Sequence, residues 1–309
     1  GSDVQVEAER GEALERSLAS LLPADGDLAY ANFAPIAGRE GASAALHAGR
    51  WRNAATTLGA WVARNAQGQP LVALRLDRRP FETEHFALPM AVIDAPVGTQ
   101  RTELREPAVD ALLGEAFACA RAHGIEHVAV RASSNDIATS RAAQRHAAVH
   151  VGTQVSWMLA LDGHPHEPLP PGFDFETHGP ASLVNSESAT WKRIAEWGAR
   201  SFDRSPYAFD ASLPAARSLA VYQAWTEKVM RGEWCDRVVL VRHAGEVVAF
   251  ISYQLLRDVS DAAGVAVIGR CLAATLPEYR GLATACVREI AATRPLGASY
   301  LEGETPVTT

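Results

Sequence analysis

Apolar and polar positions along the chain follow two periods, and the switches between them mark its elements. In the first half, Glu12–Leu22 places apolar side chains at helical spacing and predicts an amphipathic helix. Leu58–Arg64 and Pro70–Leu76 are short apolar runs on either side of Asn65-Ala66-Gln67-Gly68, a hairpin signature. Phe86–Ile93 predicts a further strand, and Glu106–His123 a helix with Gly124 just past its end. His127–Arg131 reads as a strand, Ile137–Val149 as a helix capped by Asn135-Asp136, and Thr153–Leu161 as a closing strand.

The pattern then breaks at Asp162-Gly163-His164-Pro165-His166-Glu167-Pro168-Leu169-Pro170-Pro171-Gly172, where clustered prolines stiffen a connector. His164 and His166 have no third metal ligand nearby and read as part of a solvated linker. Beyond it, Ser186–Phe202 and Pro214–Arg231 predict helices, and Arg237–Arg242 and Glu246–Leu255 a hairpin about His243-Ala244-Gly245. Val265–Thr275 is a long strand, Arg280–Thr293 a helix, and Ser299–Glu304 a strand after Gly297. The two halves repeat one order of elements: hairpin, strand, helix ending near glycine, strand. That predicts a structural duplication with domains at residues 3–161 and 173–309 joined by a linker at 162–172. Helix and strand follow Asn135 in the first copy, whereas the sequence stops at Thr309 in the second, so the second copy is expected to lack its last helix and hairpin.

Composition narrows the function classes. With 309 residues, 48% hydrophobic and 21% charged, the chain is too apolar for a disordered protein and long enough for two domains. A net charge of −7 argues against a nucleic-acid partner. No apolar run approaches the roughly 20 residues that span a membrane. No secretory signal opens the sequence, Gly1-Ser2 reads as a remnant of tag cleavage, and a cytoplasmic protein without a membrane partner is expected. Cys119, Cys235, Cys271 and Cys286 form no C-x-x-C pair and no zinc spacing with histidine, so buried free thiols and no metal are expected.

One segment carries chemistry. The strand ending in Leu272-Ala273-Ala274-Thr275 runs through Pro277-Glu278-Tyr279-Arg280-Gly281 into a helix whose first turn, Leu282-Ala283-Thr284-Ala285, is built of small residues after the leucine. Small residues admit a ligand close to the backbone, the free N–H groups of a helix start bind phosphate, and Arg280 adds a charge for a pyrophosphate. A tight strand-to-helix turn without a ligand is the alternative. This arrangement resembles the acetyl-CoA pyrophosphate loop, Gln/Arg-x-x-Gly-x-Gly/Ala, of the GCN5-related N-acetyltransferases. Arg280 takes the first position, Ala283 stands where glycine is expected, and Ala285 fills the last. The stretch Ile194–Asp210, then Val221-Tyr222-Gln223-Ala224-Trp225, is similar to the TDP-fucosamine acetyltransferases, which acetylate a 4-amino sugar on a nucleotide. Pro80–Met90 resembles that subfamily's Trp-Asp-Ser-x-x-Phe-Gly segment, with Phe81 and Glu82 in place of Trp and Asp.

The resemblance implies an α/β protein of two such domains, each a mixed, mostly antiparallel sheet flanked by helices. The first is a degenerate copy, because Asp94–Arg101 offers no equivalent phosphate loop. The implied activity is acetyl transfer from acetyl-CoA to a primary amine of a small molecule, including an amino sugar, with Leu272–Thr275 and Arg280–Ala285 holding the co-substrate. The family's usual acid is a tyrosine on the helix after the fifth strand, which would lie beyond Thr309, so no catalytic residue is assigned. The loop Ser201–Asp210 is expected to receive the acceptor between the halves through Arg204, Tyr207 and Asp210: a cation, an aromatic ring and an acid in one short stretch. Tyr222 and Trp225 fit either an acceptor pocket or helix packing, and Glu302 and Glu304 either a cleft or solvent. The rival readings are a non-catalytic acyl-CoA-binding or regulatory protein, and an acetyltransferase for a protein, polyamine or antibiotic amine.

Overall fold

A computed structural model of the chain describes residues 4–22, 42–52, 55–163, 169–179, 188–203 and 205–307. The chain folds as two units, Gly1–His150 and Val151–Thr309, each with its own sheet. Among the described residues no helix is long and apolar enough to cross a membrane.

The first unit contains β1 (Gln5–Ala8), α1 (Gly11–Leu21), α2 (Ala42–Arg52), β2 (Thr57–Arg64), β3 (Pro70–Arg78), α3 (Pro80–Phe86), β4 (Met90–Ile93), β5 (Val97–Gly98), α4 (Thr102–Ala122), β6 (His127–Val130) and α5 (Ile137–Arg145). The sheet order is β1-β2-β3-β4-β6, antiparallel except for the parallel pair β4–β6, with β5 beside β3. Alternation sorts β2 and β3 between two layers: Trp61, Ala63, Val72, Leu74 and Leu76 pack against α4, while Val62 and Ala73 pack against Leu18 and Leu21 of α1. The inward face of α4 is the periodic set Val109, Leu112, Leu113, Ala116 and Ala120.

Several boundaries differ from the sequence reading; the helix expected over Ile137–Val149 ends at Arg145, with Ala147 in the left-handed conformation at φ 62°. Phe86 ends a helix, with Ala87 in the left-handed conformation at φ 47°, and the strand begins only at Met90. Helix α4 begins at Thr102 and carries Pro107 inside it, although the missing N–H of proline favours a start at Glu106. The extra turn is held by Arg105, whose buried guanidinium donates to Asp136 and to the Pro96 and Thr99 carbonyls.

The second unit contains β7 (Thr153–Ala160), β8 (Phe173–His178), α6 (Ser188–Arg200), α7 (Pro206–Phe209), α8 (Ala215–Met230), β9 (Arg237–His243), β10 (Glu246–Leu255), α9 (Arg257–Ala263), β11 (Val267–Thr275), α10 (Leu282–Thr293) and β12 (Tyr300–Val307). A 3₁₀ turn, Pro277–Tyr279, joins β11 to α10. The sheet order is β7-β12-β11-β10-β9-β8. From β8 to β12 the pairing repeats that of the first unit: three antiparallel steps, then one parallel. The duplication is therefore present in the topology. Helix α10 covers one face with Cys286, Ile290 and Ala291 over Val239, Val241, Ile251, Ile268 and Leu301. The other face, with Val238, Leu240, Phe250, Leu272 and Ala274, packs on α6 and α8.

The strand β7, assigned from sequence to the first domain, is hydrogen-bonded along all eight residues to β12 of the second. The units accordingly divide between His150 and Val151, before the linker and not at it. Strand β7 occupies the edge of this sheet, beside β12. His164 and His166 lie outside the described residues.

Candidate functional site

The parallel strands β11 and β12 pair through only three positions, Val267–Tyr300, Ile268–Leu301 and Gly269–Glu302. Beyond them the strands part: β11 continues to Thr275 paired with β10, and β12 to Val307 paired with β7. A parallel ladder that stops leaves one edge of each strand without strand partners, and backbone groups so released must find other ones. Both strands keep a strand partner on their other side.

The parting coincides with a bulge. Tyr253 faces Arg270 and Ile251 faces Ala273, so Cys271 and Leu272 together oppose Ser252. A bulge bends its strand and raises the local twist. The wholly buried Ser252 hydroxyl fills the gap in the ladder, accepting from the Leu272 N–H at 3.0 Å and donating to the Leu272 carbonyl at 3.1 Å.

A cleft of about 640 Å³ opens at this point, and every residue lining it belongs to the second unit. One wall is aromatic: Phe202 stacks on Tyr222 at 4.4 Å between centroids, Tyr222 on Trp225 at 5.8 Å, and Trp225 meets Trp234 edge-on at 6.0 Å. The polar lining includes Arg270, Gln254, Glu233, Glu302 and Glu304. Cys271 also lines it, its thiol pushed up to about 12 by burial, and is therefore a protonated, non-nucleophilic group.

The strand-to-helix junction lies at the far end of β11. Gly281 is the residue before α10, at φ 100°, a conformation that favours glycine, and an added Cβ there would meet nothing within 4 Å. No side chain caps α10. The Thr284 N–H is taken up by the Gly281 carbonyl at 3.0 Å, whereas those of Leu282 and Ala283 are first-turn donors with no acceptor inside the helix. Arg280 is exposed and, among the described residues, makes no hydrogen bond or ion pair. The Thr275 hydroxyl at the end of β11 is buried without a partner.

The residues singled out from sequence fall into two groups. Ala273, Ala274 and Thr275 lie on the parted stretch of β11, and Arg280, Gly281, Leu282, Ala283, Thr284 and Ala285 form the junction it leads to. Leu272 is there too, but its N–H is committed to Ser252 and is not free to polarise a ligand carbonyl. The acceptor loop meets the cleft through Ser201, Phe202, Ser205 and Pro206. Tyr207 rests against Tyr222, and the Asp210 carboxylate accepts from the Ser212 N–H and hydroxyl in a local turn. Neither lines the cleft, and Arg204 lies outside the described residues. Tyr222, Trp225, Glu302 and Glu304 do line it. Arg270, Ser252 and Trp234 were not anticipated, since the first two come to the site through strand register and the bulge.

The corresponding region of the first unit is closed. Strand β4 pairs with β6 along its whole length, Met90–His127 to Ile93–Val130. Arg105, on the helix that follows, bonds Asp136 at 2.7 and 3.0 Å, both side chains 3% exposed. Burial raises the Asp136 pKa, but hydrogen bonds from Arg105 and Thr139 more than offset this and hold it below the ordinary aspartate range. Among the described residues no group of three or more His, Cys, Asp and Glu is arranged to hold a metal ion.

No family model and no curated protein matches the chain by sequence. Solved structures match it by fold. A GCN5-related N-acetyltransferase from Sphaerobacter thermophilus superposes with a TM-score of 0.59 at 17% identity, over 99% of this chain and 87% of that one. A GCN5-related glucosamine N-acetyltransferase region of a fungal multi-domain GH3 β-N-acetylglucosaminidase gives a TM-score of 0.55 at 12% identity, over 99% of this chain and 37% of that one. The fold is that of the GCN5-related N-acetyltransferases, present twice in tandem.

Proposed function

We propose that the second unit transfers an acetyl group from acetyl-CoA to a primary amine of a small molecule. The observation that carries this reading is the parting of β11 and β12 at a cleft, with one strand leading directly to an uncapped helix start beside an arginine that has no ion pair among the described residues. The junction fits a pyrophosphate: first-turn N–H groups of Leu282 and Ala283 and the Arg280 guanidinium supply donors and charge where no side chain competes. The free edge of β11 at Ala273–Thr275, with the unsatisfied Thr275 hydroxyl, fits the amide-bearing arm between the phosphates and the thioester. Ala283 stands where the family pattern has glycine, and its Cβ narrows the approach there.

Acetyl-CoA supplies an acyl carbon activated as a thioester. The chain has to deprotonate the amine and stabilise charge at the carbonyl oxygen. Glu302, half-buried at the last paired position before the strands part, is placed to take the amine proton directly or through water. As the N–C bond forms and the C–S bond breaks, backbone N–H groups on the open edge of β11 stabilise the oxygen, and the departing thiolate takes a proton from solvent. The aromatic wall suits a flat acceptor frame, such as the face of an amino sugar.

The test is calorimetry with acetyl-CoA, paired with an assay for thiol release over a panel of amines. Arg280→Glu replaces attraction with repulsion at the pyrophosphate and should weaken binding more than tenfold. Unchanged affinity would remove the junction from the co-substrate site. Tight acetyl-CoA binding without thiol release to any amine would support a non-catalytic acyl-CoA-binding protein instead.

A further inference from the structure

Arg270 is a charge that acetyl transfer to a bare amine does not require. It lines the cleft, half-buried, with its guanidinium 5.4 Å from the centre of the Trp157 ring, and among the described residues it makes no hydrogen bond or ion pair. Burial lowers its pKa, opposed by the attraction of Glu304 in the same cleft. An arginine does not shed its proton, so the desolvation cost stays in the folded protein until an anion arrives.

The seat of this cation is built. Trp157 on β7 lies across Gly303 of β12, where an added Cβ would run into the ring, with two of its atoms at 2.8 Å. The indole N–H donates to the Thr305 hydroxyl at 3.0 Å, fixing the ring over which Arg270 lies. Cation–π contact holds a guanidinium in place without using its hydrogen-bond donors. Arg270 is also distinct from the phosphate site: β11 runs five residues further to Thr275, roughly 17 Å at the usual strand rise, before the turn to Arg280.

We infer that the acceptor is an amine that also carries a negatively charged group, a carboxylate or a phosphate, received by Arg270. Its frame lies on the Phe202–Tyr222–Trp225 wall and its amine toward Glu302 and Glu304. The inference rests on the acetyl-transfer reading above and names the acceptor class for the same cleft.

Two matched pairs of probes test it on the full chain: tyrosine against tyramine, and glucosamine 6-phosphate against glucosamine. Binding is measured by calorimetry without acetyl-CoA, and acetylation by thiol release with it. In at least one pair the member that carries the carboxylate or phosphate should bind at least tenfold more tightly than the partner that lacks it, and the pair that does so distinguishes carboxylate from phosphate. Arg270→Gln should abolish that preference while acetyl-CoA affinity stays within about twofold. Arg270→Lys, which keeps the charge but loses the fork, should retain part of the preference and serves if the glutamine variant fails to fold. Equal affinity within both pairs, or an equal loss for both members on substitution, overturns the inference. An anionic preference without acetylation of any amine would instead sustain the anion site and overturn the transferase reading.

Discussion

The Arg105–Asp136 pair should behave as a coupled plug in the first unit. Arg105→Met removes the cation and leaves a buried carboxylate whose remaining donors are the Thr139 N–H at 2.9 Å and hydroxyl at 2.6 Å. Asp136→Asn keeps an oxygen for that cap and leaves the guanidinium with only the Pro96 and Thr99 carbonyls, at 2.6 and 3.2 Å. Each single change strands a charge at a position only 3% exposed and should cost about 3–5 kcal/mol. The double variant strands neither, so its cost should fall short of the sum by roughly 2–3 kcal/mol. The two units need not unfold together, so urea titration is best followed by hydrogen exchange at β3 and β4 amides. Single variants costing under about 1 kcal/mol, or costs that add within about 0.5 kcal/mol, would refute the buried-pair account.

Two further outcomes follow from the geometry. Gly303→Ala should displace the Trp157 ring from β12, lowering the affinity for the anionic probe and quenching or shifting tryptophan fluorescence, while binding of acetyl-CoA at the junction persists; an unchanged anionic-probe affinity would detach Trp157 from the Arg270 seat. The folded pKa of Asp136 lies below its unfolded value near 3.9, so its stabilisation is complete above that value and is lost as pH falls through the folded one; first-unit exchange protection should drop in that window, and much less in Asp136→Asn.

Much of this architecture is legible in local pattern. Period-two apolar runs mark the hairpins about Asn65–Gly68 and His243–Gly245, and the element order exposes the duplication. The strand-to-helix turn at Arg280-Gly281 is readable because glycine marks a turn, and Gly281 does precede α10 at φ 100°. Boundaries fail where a tertiary contact overrides a local preference, as when buried Arg105 extends α4 across Pro107. On the acceptor side the conspicuous residues and the lining of the cleft differ for a related reason. Arg204, Tyr207 and Asp210 are conspicuous in sequence, yet Asp210 folds back on Ser212 and Tyr207 packs on Tyr222. Arg270 looks like one polar residue in a strand, and nothing nearby in sequence announces Trp157 beneath it.

The two copies share one topology and differ in whether the parallel pair stays closed, and the cause is non-local. In the first unit all four residues of β4 are matched by β6, and Arg105 with Asp136 ties the following helix to the cap of the next. In the second, β12 parts from β11 after Glu302 while β7 stays paired along its other edge from Tyr300 to Val307. The bulge opposite Ser252 bends β11 while β10 continues to pair with it. Each rail of the cleft thus keeps a strand partner on its far side, and opening the sheet leaves only the inner edges unpaired. One rail depends on β7, which precedes the proline-rich linker and pairs with residues about 150 positions later. Loop-closure entropy makes such a pairing late and costly to form. Its presence in the fold gives β12 a partner where β11 has left it.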